Sequence, residues 1–195
     1  MGHRAVAAIL SVVVLSACGC TTAAKQAVYA IRGPEGDFLV ENSRAPADFA
    51  SYSSVLVEPF ENGLPRNISS DLVAACQQET VSTLAEGGYF QSVGKATAER
   101  PARALLIRGK LLDIKSDRVP GQRVISGGNH LIAHVQLVDA GSGEVMAWGV
   151  VRGVVKSVAQ REETDLAEGL AEGVAKFVKN VAQLKEPDKE RGTGE

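Results

Sequence analysis

The chain has 195 residues, with 21 Lys and Arg against 23 Asp and Glu, and a hydrophobic fraction of 45%. The near balance of charge argues against a nucleic-acid partner and against a strongly cationic one. Aromatic residues, at 5%, are too few for a stacking platform for bases or sugars.

Arg4 gives the chain a positive start, residues 5–17 carry no charge, and Leu15-Ser16-Ala17-Cys18 closes the segment. The uncharged run has the length of a secretory core and falls well short of the ~20 residues needed to span a bilayer. A buried helix and an ordinary signal cut elsewhere are the competing readings, and no good A-x-A site precedes Cys18. The pattern resembles a bacterial lipoprotein signal. That resemblance implies cleavage before Cys18, lipid attachment to its thiol, and palmitate-type acyl chains. At about 0.8 kcal/mol per buried methylene, more than one chain gives a stable anchor. Gly19, where the enterobacterial sorting pattern places Asp for inner-membrane retention, favours the inner leaflet of the outer membrane, facing the periplasm.

The organisation expected is a signal peptide over 1–17, a tether over 18–50, a globular domain over 51–184 and a disordered, charged tail over 185–195. Within the tether, Gly33-Pro34-Glu35-Gly36 and Asn42-Ser43-Arg44-Ala45-Pro46 are turn signals, with a short strand at Phe38-Leu39-Val40 between them. Val55-Leu56-Val57, closed by Pro59, reads as a buried strand. Asn67 or Ser69 then caps a helix with Asp71 in its first turn. Leu72, Cys76, Thr80 and Leu84 form its stripe, widened by Val73, and Gly87-Gly88 ends it.

A short strand follows over 89–93, and a long one over 104–115, in which Gly109 marks a bulge or a close backbone approach. Residues 116–129 form a polar, glycine-rich loop carrying Arg118 and Arg123. Strands over 130–138 and 144–156 pair as a hairpin about the turn at 139–143. Thr164 caps the last helix, whose stripe is Leu166, Leu170, Val174, Phe177, Val181 and Leu184. The fold class predicted is α/β (α+β): a mixed, mostly antiparallel sheet of about five strands with two packed helices, in the order β-α-β-β-β-β-α.

Four stretches in this order resemble the bacterial lipoprotein family known as domain of unknown function 4410. The first spans residues 48–60, Asp48-Phe49-Ala50-Ser51-Tyr52-Ser53-Ser54-Val55-Leu56-Val57-Glu58-Pro59-Phe60. The second is Gly88-Tyr89-Phe90-Gln91-Ser92-Val93, and the third runs over residues 106–114. The fourth covers residues 135–145, around Asp139-Ala140-Gly141-Ser142-Gly143. A similar layout occurs in lipoproteins that activate penicillin-binding proteins and in the globular part of the curli secretion lipoprotein. The likeness favours a partner-binding module. The added strands of a curli-type pore are missing from this sequence, so pore formation is not carried over. The family's activity is undefined and supplies no catalytic residues.

Several groups invite chemistry. His130 and His134 share a strand face, but four residues on a strand span about 13 Å, too far for one metal. Ser126-Gly127-Gly128-Asn129 lacks the Gly-Lys-Ser/Thr ending of a phosphate loop. Glu162, Glu163 and Asp165 complement a helix N-terminus, and no Ser-His-Asp set can be assigned. Of the three cysteines, Cys76 reads as a small buried hydrophobe, with a Cys20–Cys76 disulfide as the alternative.

The leading expectation is therefore a non-enzymatic interaction module in envelope assembly or maintenance. It needs no metal or cofactor, is held to the membrane through lipid on Cys18, and contacts an envelope protein through Arg118 and Arg123. The alternatives are a small-molecule or glycan-binding lipoprotein with hydrolytic capacity, and a purely structural envelope lipoprotein.

Overall fold

The structure, a computed structural model, describes residues 34–64, 70–97, 101, 103–115, 129–155 and 163–184. Seven strands run in chain order: β1 (Glu35–Ser43), β2 (Ser54–Val57), β3 (Glu61–Asn62), β4 (Ser92–Lys95), β5 (Ala104–Lys115), β6 (Asn129–Asp139) and β7 (Val145–Val155). Two helices, α1 (Ser70–Glu86) and α2 (Glu163–Ala182), accompany them, and a 3-10 turn spans Pro46–Phe49. The fold is α+β. The strands form one sheet in the order β1-β7-β6-β5-β2-β4, with β3 pairing β5 off this path.

Chain chemistry explains the order. Residues 139–143 close the β6–β7 hairpin: Asp139 N–H donates to Glu144 O, and Gly143 stands at φ +74°. A side chain there would meet the left-handed penalty. β2 and β4 run parallel and need a crossover, which α1 supplies. Pro59 ends β2, because it has no N–H to give the ladder. The alternation along β6 buries Leu131, Ala133, Val135 and Leu137, and the core lies between that face and the two helices. α1 buries the predicted Leu72, Cys76, Thr80 and Leu84. The Thr80 hydroxyl is satisfied inside the helix by donating to Cys76 O at 2.7 Å. Gly88, at φ +64°, ends α1 as its sequence implied.

The structure also corrects the sequence reading. The tether expected over 18–50 gives way from residue 35 to a nine-residue strand, β1, antiparallel to β7. The short strand read at Phe38-Leu39-Val40 is its middle; Glu35, Asp37 and Glu41 hid its full length, since it is an edge strand, where charge discourages unwanted pairing. The sheet has seven strands where about five were expected. The strand read at 89–93 is displaced to Ser92–Lys95. Gly109 marks a close approach, since a Cβ there would strike the Phe60 ring. The bulge on β5 lies between Leu111 and Asp113. Thr164 falls inside α2, which begins at Glu163. The expected caps Asn67 and Ser69, residues 116–128 of the polar loop and the tail over 185–195 lie outside the described residues.

The closest seam in the fold is made of glycines. A Cβ on Gly36 of β1 would overlap the backbone of Gly173 and Gly169 on α2, and one on Gly153 of β7 would overlap Leu170 N. Gly169 and Gly173 lie one turn apart, so helix and strands meet backbone to backbone. Two large side chains, Phe177 and Leu170, fill the core on either side of this contact and are fully buried.

Replacing Gly36 with Ala is expected to cost about 2–3 kcal/mol in urea unfolding, because only backbone movement relieves the overlap. Gly94→Ala, with nothing within 4 Å of the new methyl, is expected to change stability by no more than about 0.5 kcal/mol.

A second test uses charge. The Glu168 carboxyl is held above its ordinary range, first by desolvation, then by Glu79, Asp165, Glu172 and Glu86. The folded state therefore holds this proton more tightly than the unfolded chain. Stability is penalised above the raised folded value, and the penalty fades as pH falls toward the unfolded value. Glu168→Gln should raise Tm by about 1–2 °C at pH 7 and leave it unchanged near pH 3.

Candidate functional site

Among the described residues, both helices lie on one face of the sheet. On the opposite face the alternation sets out His130, Ile132, His134 and Gln136 from β6, all half-buried. Arg108 and Lys110 come from β5, Trp148, Val150 and Arg152 from β7, and Asp37 and Leu39 from β1. The registers line these up in rows. Leu39 stands opposite Val150, Val150 opposite His134, and His134 opposite Lys110. Asp37, Arg152 and Ile132 form a neighbouring row.

Two large apolar side chains on this face are exposed: Leu39 at 66% and Leu112 at 41%. Bulges explain part of the pattern. Leu112 is the extra residue of the β5 bulge and Glu41 that of the β1 bulge. A bulged residue is left outside the pairing and re-aimed. Trp148, the chain's one tryptophan, is half-buried on the same face.

The charges of the face are matched across strands. Arg108 binds Glu58 through two nitrogens, at 2.8 and 3.4 Å. Lys110 Nζ is 3.0 Å from Glu61, Arg152 forks onto Asp37, and His134 Nε2 stands 3.8 Å from Glu41. The hydrogen bond from Arg152 to Asp37 and the carboxylate's charge raise the guanidinium's pKa further. Such a surface spreads apolar side chains among ion pairs, without a cluster of like charge.

The predicted site residues fall in different places. His130 and His134 share the open face, as their spacing implied, but His134 meets a carboxylate. No group of three His, Cys, Asp or Glu among the described residues could hold a metal ion. Arg118, Arg123, Cys18 and Cys20 lie outside the described residues. Cys76 is a free, fully buried thiol. Burial pushes its pKa up to about 12, which keeps it protonated and unreactive.

Tyr52 donates its hydroxyl to Asp139 at 2.6 Å. Burial first, then Asp139, pushes the phenol up to about 12, while the bond from Tyr52 and the Ser142 N–H hold Asp139 low. Neither group is tuned for proton transfer near neutrality. The pair ties the segment before β2 to the hairpin turn. The sequence reading missed Leu39, Leu112 and Trp148 as a group. The available signal was a strand face on which apolar residues alternate with the core set rather than giving way to polar ones.

No family model matches the chain, and no curated protein matches it. Solved structures do. PelC from Paraburkholderia phytofirmans, described as a dodecamer, aligns with a TM-score of 0.50 at 16% identity, covering 72% of this chain and 95% of that one. Lipoprotein GNA1162 from Neisseria meningitidis aligns at 0.39 and 17% identity, over 66% of this chain and 99% of that one. A lipoprotein from Caulobacter crescentus aligns at 0.39 and 14%, over 71% and 96%. The PelC match shows a shared fold, and the two lower scores add no argument. No helix among the described residues is long and apolar enough to cross a membrane.

In a Cys20→Ser background, Cys76 is expected to resist a maleimide for hours in the native state and to react within minutes in 8 M urea, read by mass spectrometry. Rapid native labelling would contradict its burial.

Proposed function

We propose that this chain is a lipid-anchored module of the bacterial envelope that binds another envelope protein and catalyses no reaction. Acylation at Cys18 would hold it at the inner leaflet of the outer membrane, facing the periplasm. A module confined to a surface gains local concentration over a free one, so a modest contact suffices. Membership of the domain of unknown function 4410 family fits this reading and is part of the proposal, as are contacts from Arg118 and Arg123.

The observation that carries it is the sheet face carrying Leu39, Leu112 and Trp148. Exposed apolar side chains among matched ion pairs suit a flat protein contact better than a concave ligand site. A second reading, self-association through the same face, is favoured by the fold match to a protein described as a dodecamer.

The test uses the acylated full-length chain, solubilised gently from envelopes and cross-linked. Leu39→Glu should reduce recovery of the cross-linked partner about tenfold, since covering that side chain contributes about 1–2 kcal/mol. The melting temperature should stay within about 2 °C, because Leu39 is outside the core. An undiminished partner would overturn the assignment of the face. A partner that proves to be the chain itself, with sedimentation shifting to monomer in Leu39→Glu, would select self-association.

A further inference from the structure

We propose that the outer edge of β1, together with the hollow beside it, is a docking groove for an extended, acidic segment of a partner protein. The inference concerns the rim of the sheet, which shares Leu39 with the open face, and goes beyond the reading above.

β1 ends the sheet, and among the described residues no strand pairs with its outer side. An edge of nine residues offers backbone donors and acceptors to an incoming strand. Directly beside it is a hollow of about 440 Å³, lined by Phe38, Lys176, Lys179, Asn180, Gln183 and Leu184. The Phe38 ring is held edge-on by Phe177, with centroids 6.1 Å apart, so it is a fixed apolar wall. Leu184 is set by the closing turn of α2, in which its N–H donates to Lys179 O at 3.1 Å and the Gln183 N–H to Asn180 O at 3.2 Å. Gln183 stands at φ +47°, a left-handed conformation unusual for a residue with a side chain.

Two lysines give the groove its sign. Lys176 Nζ donates to Gly36 O at 3.2 Å and lies 3.1 Å from Glu172. It therefore touches the backbone of the edge strand and still has a third ammonium hydrogen for a carboxylate. Lys179 Nζ stands 5.6 Å over the Tyr89 ring and lines the same hollow. On the other side of the edge, Leu39 is exposed, while Asp37 and Glu41 are matched by Arg152 and His134.

Strand side chains alternate between faces. A segment added beside β1 would therefore place every second residue over the two lysines and the others beside Leu39. The fitting sequence alternates acidic and apolar residues. A second copy of β1 fits poorly. Antiparallel pairing centred on Leu39 sets Asp37 of one copy opposite Glu41 of the other, like charge on like charge.

The test uses the acylated full-length chain in detergent and two blocked nine-residue peptides, one alternating Glu and Val, the other Lys and Val. Backbone hydrogen exchange is read over the whole protein. The Glu–Val peptide should slow exchange across residues 35–43, and the Lys–Val peptide should not. The double variant Lys176→Glu with Lys179→Glu should weaken binding of the Glu–Val peptide by about tenfold or more. Because Lys176 also holds Gly36 O, the milder Lys176→Gln is run in parallel and should weaken binding less, with exchange in β5 and β6 unchanged. The proposal is overturned by no protection of β1 at millimolar peptide, or by equal protection from both peptides. Protection that grows with protein concentration alone would also overturn it, because the occupant would then be a second copy. Leu39 belongs to both surfaces, so the lysines separate the two readings: Lys176→Glu with Lys179→Glu should leave the cross-linked partner of the open face undiminished.

Discussion

The structure depends on how closely α2 can lie on the sheet. Gly169 and Gly173 on the helix face Gly36 and Gly153 on β1 and β7, and side chains are excluded from the seam on both sides. Close approach brings Phe177, Leu170 and Val174 down onto the strands, where they are fully buried. Glycine weakens a helix by about 1 kcal/mol relative to alanine. Two glycines inside a twenty-residue helix are tolerated because the packing they allow returns more than they cost. The same contact explains why β1 belongs to the domain. Its Gly36 lies under α2, and its Phe38 meets Phe177 edge-on.

With both helices on one side, the other face of the sheet carries no helix among the described residues. Its composition suits the contact proposed for it. The aliphatic groups are spread through rows of paired charges, so the face does not simply continue the core. Ion pairs between exposed side chains add little stability. What they do provide is a fixed, near-neutral surface on which a partner can be placed in one register. The shifted titratable groups point the same way. Cys76 and Tyr52 are both driven toward their protonated forms by burial, which favours structural roles over reactive ones.

Under the two proposals, the edge and the face divide the work of recognition. A face binds through area and shape, whereas an edge binds through backbone bonds whose direction is set by the strand. β1 contributes to both, because Leu39 points to the open face while the same strand's outer side borders the hollow beneath Phe38. The proposed acylation at Cys18 would add nothing to either contact directly, but would confine the encounter to a plane.

Local pattern determined a good part of this protein. The stripe of Leu72, Cys76, Thr80 and Leu84, the glycine stop of α1, the hairpin turn at 139–143 and the apolar face of α2 were legible because each depends on neighbours within one or two turns of chain. The resemblance to a lipoprotein signal ending at Cys18 is likewise a short linear pattern. Only the tertiary structure decided the rest. Only the middle of β1, Phe38-Leu39-Val40, was legible, because an edge strand has one half-covered face and carries charge on the other, so its periodicity is weak. Gly36 and Gly173, 137 positions apart, were unremarkable letters until the chain folded them into contact. The open face emerged last, since whether Leu39 and Trp148 look inward or outward depends on which side of the sheet the helices choose, and no local sequence encodes that choice.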